Sequence, residues 1–368
     1  LWDGLMRATN YAMYHVMSPA EALAQSEKAV QATLDRVGQS KTGTHIDWWF
    51  ISFVILGSLI LVVVAFFLSR KRQVRIGRQL RRALFAGLFF VSPWAIGFLF
   101  LWVVPIAASI VLSFTAYDVL HPARWVGLGN YVELFTEDPL LWKSLWNTAF
   151  MIIEVPLGLT VGLMIALLLN EKLKGIAVYR AIFYLPAVVP LVASSILWMW
   201  LFQPSNGLIN SALRLLGIEG PTWLLSPVWS KPSLILMGLW TAGSGMIIWL
   251  AGLQGIPDQL YEAAEVDGAG RWTKFFYITL PMLTPYVFYN MVMGLIGTLQ
   301  IFTSAYIMTE GGPVDSTLFY VYHLFNSAFR YFRMGYASAL AWVLFIIIMS
   351  FTLFQIKLSK KWVYYEEE

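Results

Sequence analysis

The chain has no cysteine and only four histidines in 368 residues. Without thiols it has no disulfide framework, no thiolate metal site and no thiol nucleophile. His15, His45, His121 and His323 are scattered, and none stands at metal-ligand spacing from another. Charge is also scarce: Asp, Glu, Lys and Arg make up 12% of residues, against about 25% in soluble domains. No GxxxxGK[S/T] loop is present to cradle nucleotide phosphates, no serine sits in a GxSxG elbow, and no carboxylate pair recommends itself for acid/base work. These residues give no support to an enzyme. The net charge of +4 does not point to nucleic acid, because the basic residues sit beside apolar runs and not along a polar, aromatic groove.

What is abundant is apolar surface. Hydrophobic residues make up 58% of the chain and mean hydropathy is +0.66. One aqueous globule cannot hide so much, and runs of about 20 apolar residues match a bilayer core. Seven candidate spans follow, at 48–69, 84–117, 145–169, 181–202, 232–253, 286–308 and 336–358, giving an all-α polytopic bundle. Pro93 and Pro105 predict a kink or a short interfacial helix within the longest.

Short loops rich in Lys and Arg stay on the cytoplasmic side. Arg70, Lys71, Arg72, Arg75, Arg78, Arg81 and Arg82 put the first loop inside. Lys172, Lys174, Arg180, Arg271, Lys274, Lys357, Lys360 and Lys361 then fall inside too, leaving the N-terminus external and the C-terminus cytoplasmic. The clear ionisable residue within a span is Glu154, about two turns into the third and near its external side. A water-facing or inter-subunit position and direct contact with a solute are both open to it.

Residues 1–44 lack the cationic start and apolar core of a signal peptide. Ser18-Pro19-Ala20-Glu21 reads as a capping box with proline at the first helical position, and Leu23, Val30, Leu34 and Val37 keep helical spacing on one face. A second helix is expected around 2–17, and GQSKTG (38–43) reads as a polar linker. The division expected is 1–44 as an external helical segment, 45–83 as an extra span with its basic loop, and 84–368 as the main bundle.

One polar segment, the loop 254–285, stands apart: its residues 257–285, PDQLYEAAEVDGAGRWTKFFYITLPMLTP, combine helix signals with a rigid ending. A short helix from Pro257 would present acids outward, Gly268 would permit a turn, and a second piece would lead into the next span. Glu262-Ala263-Ala264, Gly268, Ile278, Leu280 and Pro281 fill every fixed position of EAA-x3-G-x9-I-x-LP. The chain thereby resembles the permeases of binding-protein-dependent ABC importers. From about 84 to 361 it is similar to their carbohydrate-uptake class, maltose-type and glycerol-3-phosphate-type, through WVGLGNYVELFTEDPLLWKSLWNTAF, YRAIFYLPAVV, TEGGP and GYASALA. Simple six-span members lack the extra first span.

The resemblance implies a transport subunit with a six-span core that alternates between outward and inward access. It implies ATPase contact at Glu262, Ala263, Ala264, Asp267 and Gly268. It also implies a solute site between the spans flanking that loop, with candidates Trp240, Thr241, Ser244, Thr298, Gln300 and Phe302, since sugars are held by aromatic faces and a few aimed hydrogen bonds. Ordinary helix packing is the competing reading for each of these six. Implied partners are a second permease subunit, expected to be a different chain, a pair of cytoplasmic ABC ATPases carrying ATP and Mg, and an external solute-binding protein. The implied location is a bacterial or archaeal inner membrane. Residues 1–39 also resemble the closing helices of carbohydrate-binding proteins, which implies the end of a fused binding domain. Glycerol-phosphate is the alternative solute, and an ATPase-independent secondary transporter or membrane scaffold the alternative class.

Overall fold

The computed structural model describes residues 2–14, 16–39, 78–171 and 174–364. The expected span at 48–69, most of the basic loop after it, His15 and Lys172 lie outside the described residues. The described chain falls into two compact units: Leu1–Gln31, Asp138–Leu324 and Leu344–Glu368 form one, and Ala32–Glu137 with Phe325–Val343 the other. Neither is continuous in sequence.

Two helices open the chain, α1 (Trp2–Met13) and α2 (Pro19–Gln39), so α2 takes in Gly38 and the polar linker starts later than expected. The capping box forms: the Ser18 N–H donates to Glu21 Oε2 at 3.0 Å and the Glu21 N–H to Ser18 Oγ at 3.3 Å. The hydrogen bonds from Ser18 hold the Glu21 carboxyl below its ordinary value. The expected apolar face is corrected at Leu23, which is exposed while its neighbour Ala22 is buried.

A single carboxylate fixes α1 within its unit. Asp315 meets Arg7 Nε at 3.3 Å and accepts the Tyr11 hydroxyl at 2.7 Å, and the Tyr14 hydroxyl donates to the Leu225 carbonyl at 3.0 Å. Burial first, then the Asp315 charge, push the Tyr11 phenol above its ordinary value, so it remains a donor.

In the other unit α3 (Arg78–Phe98) runs through Pro93 into a π-helical stretch, Leu99–Val103, and then α4 (Val104–Ser113). Pro105 has no N–H to return to the preceding turn. The chain widens there, with the Val104 N–H reaching back to the Leu99 carbonyl. In place of the expected kink or short interfacial helix, Phe89–Ser113 is one helical stretch with this π-helical widening. Beyond α4, β1 (Thr115–Ala116) and β2 (Arg124–Trp125) pair antiparallel. Asn130 Nδ2 donates to the Ser113 and Thr115 carbonyls at 2.8 and 2.9 Å, and the Arg333 guanidinium grips both Glu133 oxygens.

The remaining spans belong largely to the first unit. The third begins earlier than expected, because Asp138 caps α5 (Pro139–Met151) by accepting the Leu140 N–H at 2.8 Å. His323, read from sequence as a loop or interface residue, sets its Nε2 2.8 Å from the other Asp138 oxygen. The helix loosens at Ile152 and Ile153, where Pro156 removes a donor, and resumes as α6 (Glu154–Asn170). The expected span at 181–202 is corrected to α7 (Ile176–Val188) and α8 (Leu191–Leu201), which meet at 98°. Proline disfavours helical geometry in its predecessor, and Val189 is extended ahead of Pro190.

Next come α9 (Ser230–Trp240), a 3-10 turn over Ala242–Gly245, α10 (Met246–Gln254), α11 (Asp258–Val266), α12 (Thr284–Leu299), α13 (Thr303–Met308) and α14 (Met334–Ser359). Among the described residues five helical stretches are long and apolar enough to cross a membrane, and six if the bent pair is one span. Trp198, Phe202, Trp223, Leu234, Met237 and Met308 form one buried cluster; Ala166, Met246, Trp249, Leu253, Ile256 and Leu283 form another.

Replacing Asp315 by Asn removes the charge from both contacts to α1. A charged hydrogen bond contributes about 1.5–3 kcal/mol, so amide exchange within Trp2–Met13 should accelerate by roughly tenfold or more. Unchanged exchange would show that Asp315 does not hold α1.

Candidate functional site

The loop between α10 and α12 has a fixed shape. Ile256 and Leu283 are buried at its base, with Tyr261 and Ile278 packed on the same cluster, and the Tyr261 and Thr279 hydroxyls lie 2.9 Å apart. Helix α11 ends in a Schellman motif: the Ala269 N–H donates to the Ala264 carbonyl at 2.8 Å and the Gly268 N–H to the Glu265 carbonyl at 3.0 Å. Gly268 stands at φ +78, the left-handed conformation this closure needs. Lys274 then reaches back to Glu265 at 2.5 Å, and Arg271 meets Glu171 at 3.2 Å. Hydrogen bonding to Lys274, then its charge, hold the Glu265 carboxyl below its ordinary value.

All five residues assigned here from sequence fall on one short element. Glu262 and Ala263 are exposed, Ala264 is half-buried, Asp267 caps the helix and Gly268 closes it. Val266 is 88% exposed and Trp272 74%, so an apolar surface lies beside the acids. Trp272 stacks on Phe276 with ring centroids 6.2 Å apart, and Phe275 stands edge-on to both. Sequence reasoning missed this aromatic group, although WTKFFY spells it out.

The six solute candidates lie at two interruptions of the flanking spans. Trp240 ends α9, Thr241 follows it, and Ser244 sits in the 3-10 turn. Thr298 is in the last turn of α12, Gln300 is its C-cap, and Phe302 precedes α13. Helix continuity is lost at both places, and such backbone is tolerated at membrane depth only where protein or water covers it. Protein covers the first. A Cβ on Gly243 would strike the Phe183 carbonyl of α7, and one on Gly162 of α6 would lie 3.2 Å from the Ala242 carbonyl and 3.1 Å from Trp249 Nε1.

The two sets keep different neighbours. Trp240 stands edge-on to Trp198 at 6.0 Å, while Phe302 stacks on Tyr306 at 5.3 Å and tilts against Tyr322 at 6.0 Å. Trp198 belongs to the same buried cluster as Ala305 and Met308 of α13, which links the two breaks through packing. Trp240, Ser244 and Gln300 are exposed; Thr241, Thr298 and Phe302 are half-buried. The Thr241 hydroxyl is turned back to the Gly238 carbonyl at 2.8 Å.

Because α5 starts at Pro139, Glu154 lies midway along the helical stretch Pro139–Asn170, at the break between α5 and α6. A Cβ on Gly238 would strike Glu154 Oε1, so the carboxyl rests on bare backbone of α9.

The inner membrane component family of binding-protein-dependent transport systems matches residues 158–363. A probable ABC transporter permease of Bacillus subtilis, YesP, is 46% identical over 296 residues, covering 79% of this chain and 96% of that protein. The lactose transport system permease LacF of Rhizobium radiobacter is 37% identical, over 75% of this chain and 95% of that one. The trehalose/maltose permease MalF of Thermococcus litoralis is 31% identical, over 74% and 93%. A bacterial ABC transporter that imports the acidic polysaccharide alginate shares the fold, with TM-score 0.68 at 24% identity over 77% of this chain and 98% of that one.

A Cβ on Gly268 meets nothing within 4 Å, so only its backbone conformation resists substitution. Gly268→Val should destabilise the turn by about 1–2 kcal/mol, and Gly268→Asn by much less. Limited proteolysis across 258–285 should rank them parent, Asn, Val; equal sensitivity would discount the left-handed requirement.

Proposed function

The chain belongs to the family of binding-protein-dependent transport system inner membrane components, and from that premise we propose that it is one of two permease subunits of an ATP-driven importer for a sugar or oligosaccharide. Relatives named for lactose and for trehalose/maltose, aligned with this chain over about three quarters of its length, carry the substrate class. The loop 254–285 supplies the coupling. Its exposed Glu262, Ala263 and Val266 beside the Trp272 aromatics form a mixed acidic and apolar face suited to the cleft of a soluble partner. That partner is an ATPase subunit bringing ATP and Mg, one of a pair.

The solute crosses between the breaks at Thr241 and Phe302, where Trp240 and Phe302 offer ring faces and Ser244, Thr298 and Gln300 offer hydrogen bonds. An external binding protein or domain delivers it, and ATP drives the cycle only if the solute is bound differently in the outward and inward states. No lysine or arginine occurs in residues 238–245 or 294–302, which argues against glycerol-phosphate. The basic loops face the cytoplasm and the N-terminus faces outside.

Two measurements test this reading. Glu262→Lys reverses charge on the docking face without touching a span. It should lower solute-stimulated ATPase activity of the assembled transporter at least tenfold with membrane insertion intact; normal stimulation would remove the coupling role. A reporter fused after Arg72 should be cytoplasmic and one fused after Asn130 external, and the reverse pattern would overturn the orientation.

A further inference from the structure

Glu154 is an ionisable side chain within the apolar stretch Pro139–Asn170, among the described residues neither hydrogen-bonded nor ion-paired. An ionisable group within a membrane-crossing helix is expensive, about 2.5–3.5 kcal/mol at the bilayer centre on insertion scales, and functional by default. Three features of its setting show what it serves. It stands at a break in its own span, between α5 and α6. Its carboxyl lies on Gly238, the residue whose carbonyl receives the Thr241 hydroxyl, and so one helical turn from the α9 break. Its neighbour Val155 packs on Gly294, where a Cβ would lie 3.2 Å from Val155 Cγ1, and Gly294 is one turn before Thr298. The third span thus packs on both interrupted spans, its carboxyl on the first and Val155 on the second.

Glycine at 238 is what admits the carboxyl, since any larger residue would displace it. A carboxylate with both oxygens uncommitted can accept hydrogen bonds from two neighbouring hydroxyls, the pattern that sugars present on adjacent ring carbons. Among the described residues no cation pairs with it: Lys231, two turns before Gly238 on α9, is turned to the Asn147 amide oxygen at 3.0 Å and the Phe150 ring. An anionic solute on Gly238 would meet the carboxyl first.

We propose that Glu154 is a specificity residue of the solute path, accepting hydrogen bonds from vicinal hydroxyls of a neutral sugar and disfavouring uronate and phosphate sugars. This rests on the importer reading above and deepens it.

The test uses the assembled transporter in proteoliposomes, with its second permease, ATPases and binding protein, and with lactose, maltose, trehalose and digalacturonate as probes. The parent should take up at least one neutral sugar and exclude digalacturonate. Glu154→Ala should lower neutral-sugar uptake per ATP hydrolysed by tenfold or more, with assembly and stimulated ATPase unchanged, because delivery and coupling lie elsewhere. Glu154→Asp should recover part of the loss, and Glu154→Gln should narrow the gap between neutral and anionic sugars. Unchanged uptake per ATP in Glu154→Ala overturns the proposal. So does a loss that tracks assembly or stimulated ATPase, which would make Glu154 a structural residue. Failure of the parent to move any neutral sugar would instead sink the importer reading itself.

Discussion

The architecture depends on one constraint: backbone N–H and C=O groups inside an apolar medium must be satisfied by the protein itself. Uninterrupted helices meet it without help, so each interruption needs a local reason and local cover. Proline supplies the reason at Pro105, Pro156 and Pro190, where a missing donor or a steric clash forces the chain out of α geometry. Close packing supplies the cover at Ala242–Gly245, where Gly243 and Gly162 let α7 and α6 approach the turn. At Ala242–Gly245 the irregular backbone lies beside Trp240 and Thr241, where aromatic and polar side chains gather.

Long-range polar contacts lock what the helices leave free. Asp315 collects Arg7 and Tyr11 through its side chain while its own carbonyl accepts from Asn147 at 2.7 Å. Asp138 caps α5 with one oxygen and holds His323 with the other. In the second unit Glu133 and Arg333 do the same for segments 200 residues apart, with the Arg333 guanidinium lying 4.3 Å from the Tyr336 ring centroid. Every one of these carboxylates has partners, which is what sets Glu154 apart.

Apolar runs made the spans near 89–113, 230–254, 284–308 and 334–359 legible, because period and length act locally. So did Ser18 with Glu21, and Gly268 at the end of α11, whose chemistry reaches only a few residues. Pro93 and Pro105 predicted a kink or a short interfacial helix, whereas the helix between them widens into the π-helical stretch Leu99–Val103. The bend at Pro190 was missed because an apolar run reads the same whether straight or folded at 98°. Hydropathy started the third span at 145, whereas the Asp138 cap starts the helix itself at Pro139. The contact of Glu154 with Gly238 joins residues far apart in sequence and was beyond any local pattern.

The loop after α10 is closed by the Schellman turn at Gly268, tied by Lys274 to Glu265, and seated on Ile256 and Leu283. A loop held in one shape loses little conformational freedom when something docks on it. A displacement at α11 is therefore passed on, without the loop folding in between, to the spans it joins, α10 on one side and α12 on the other.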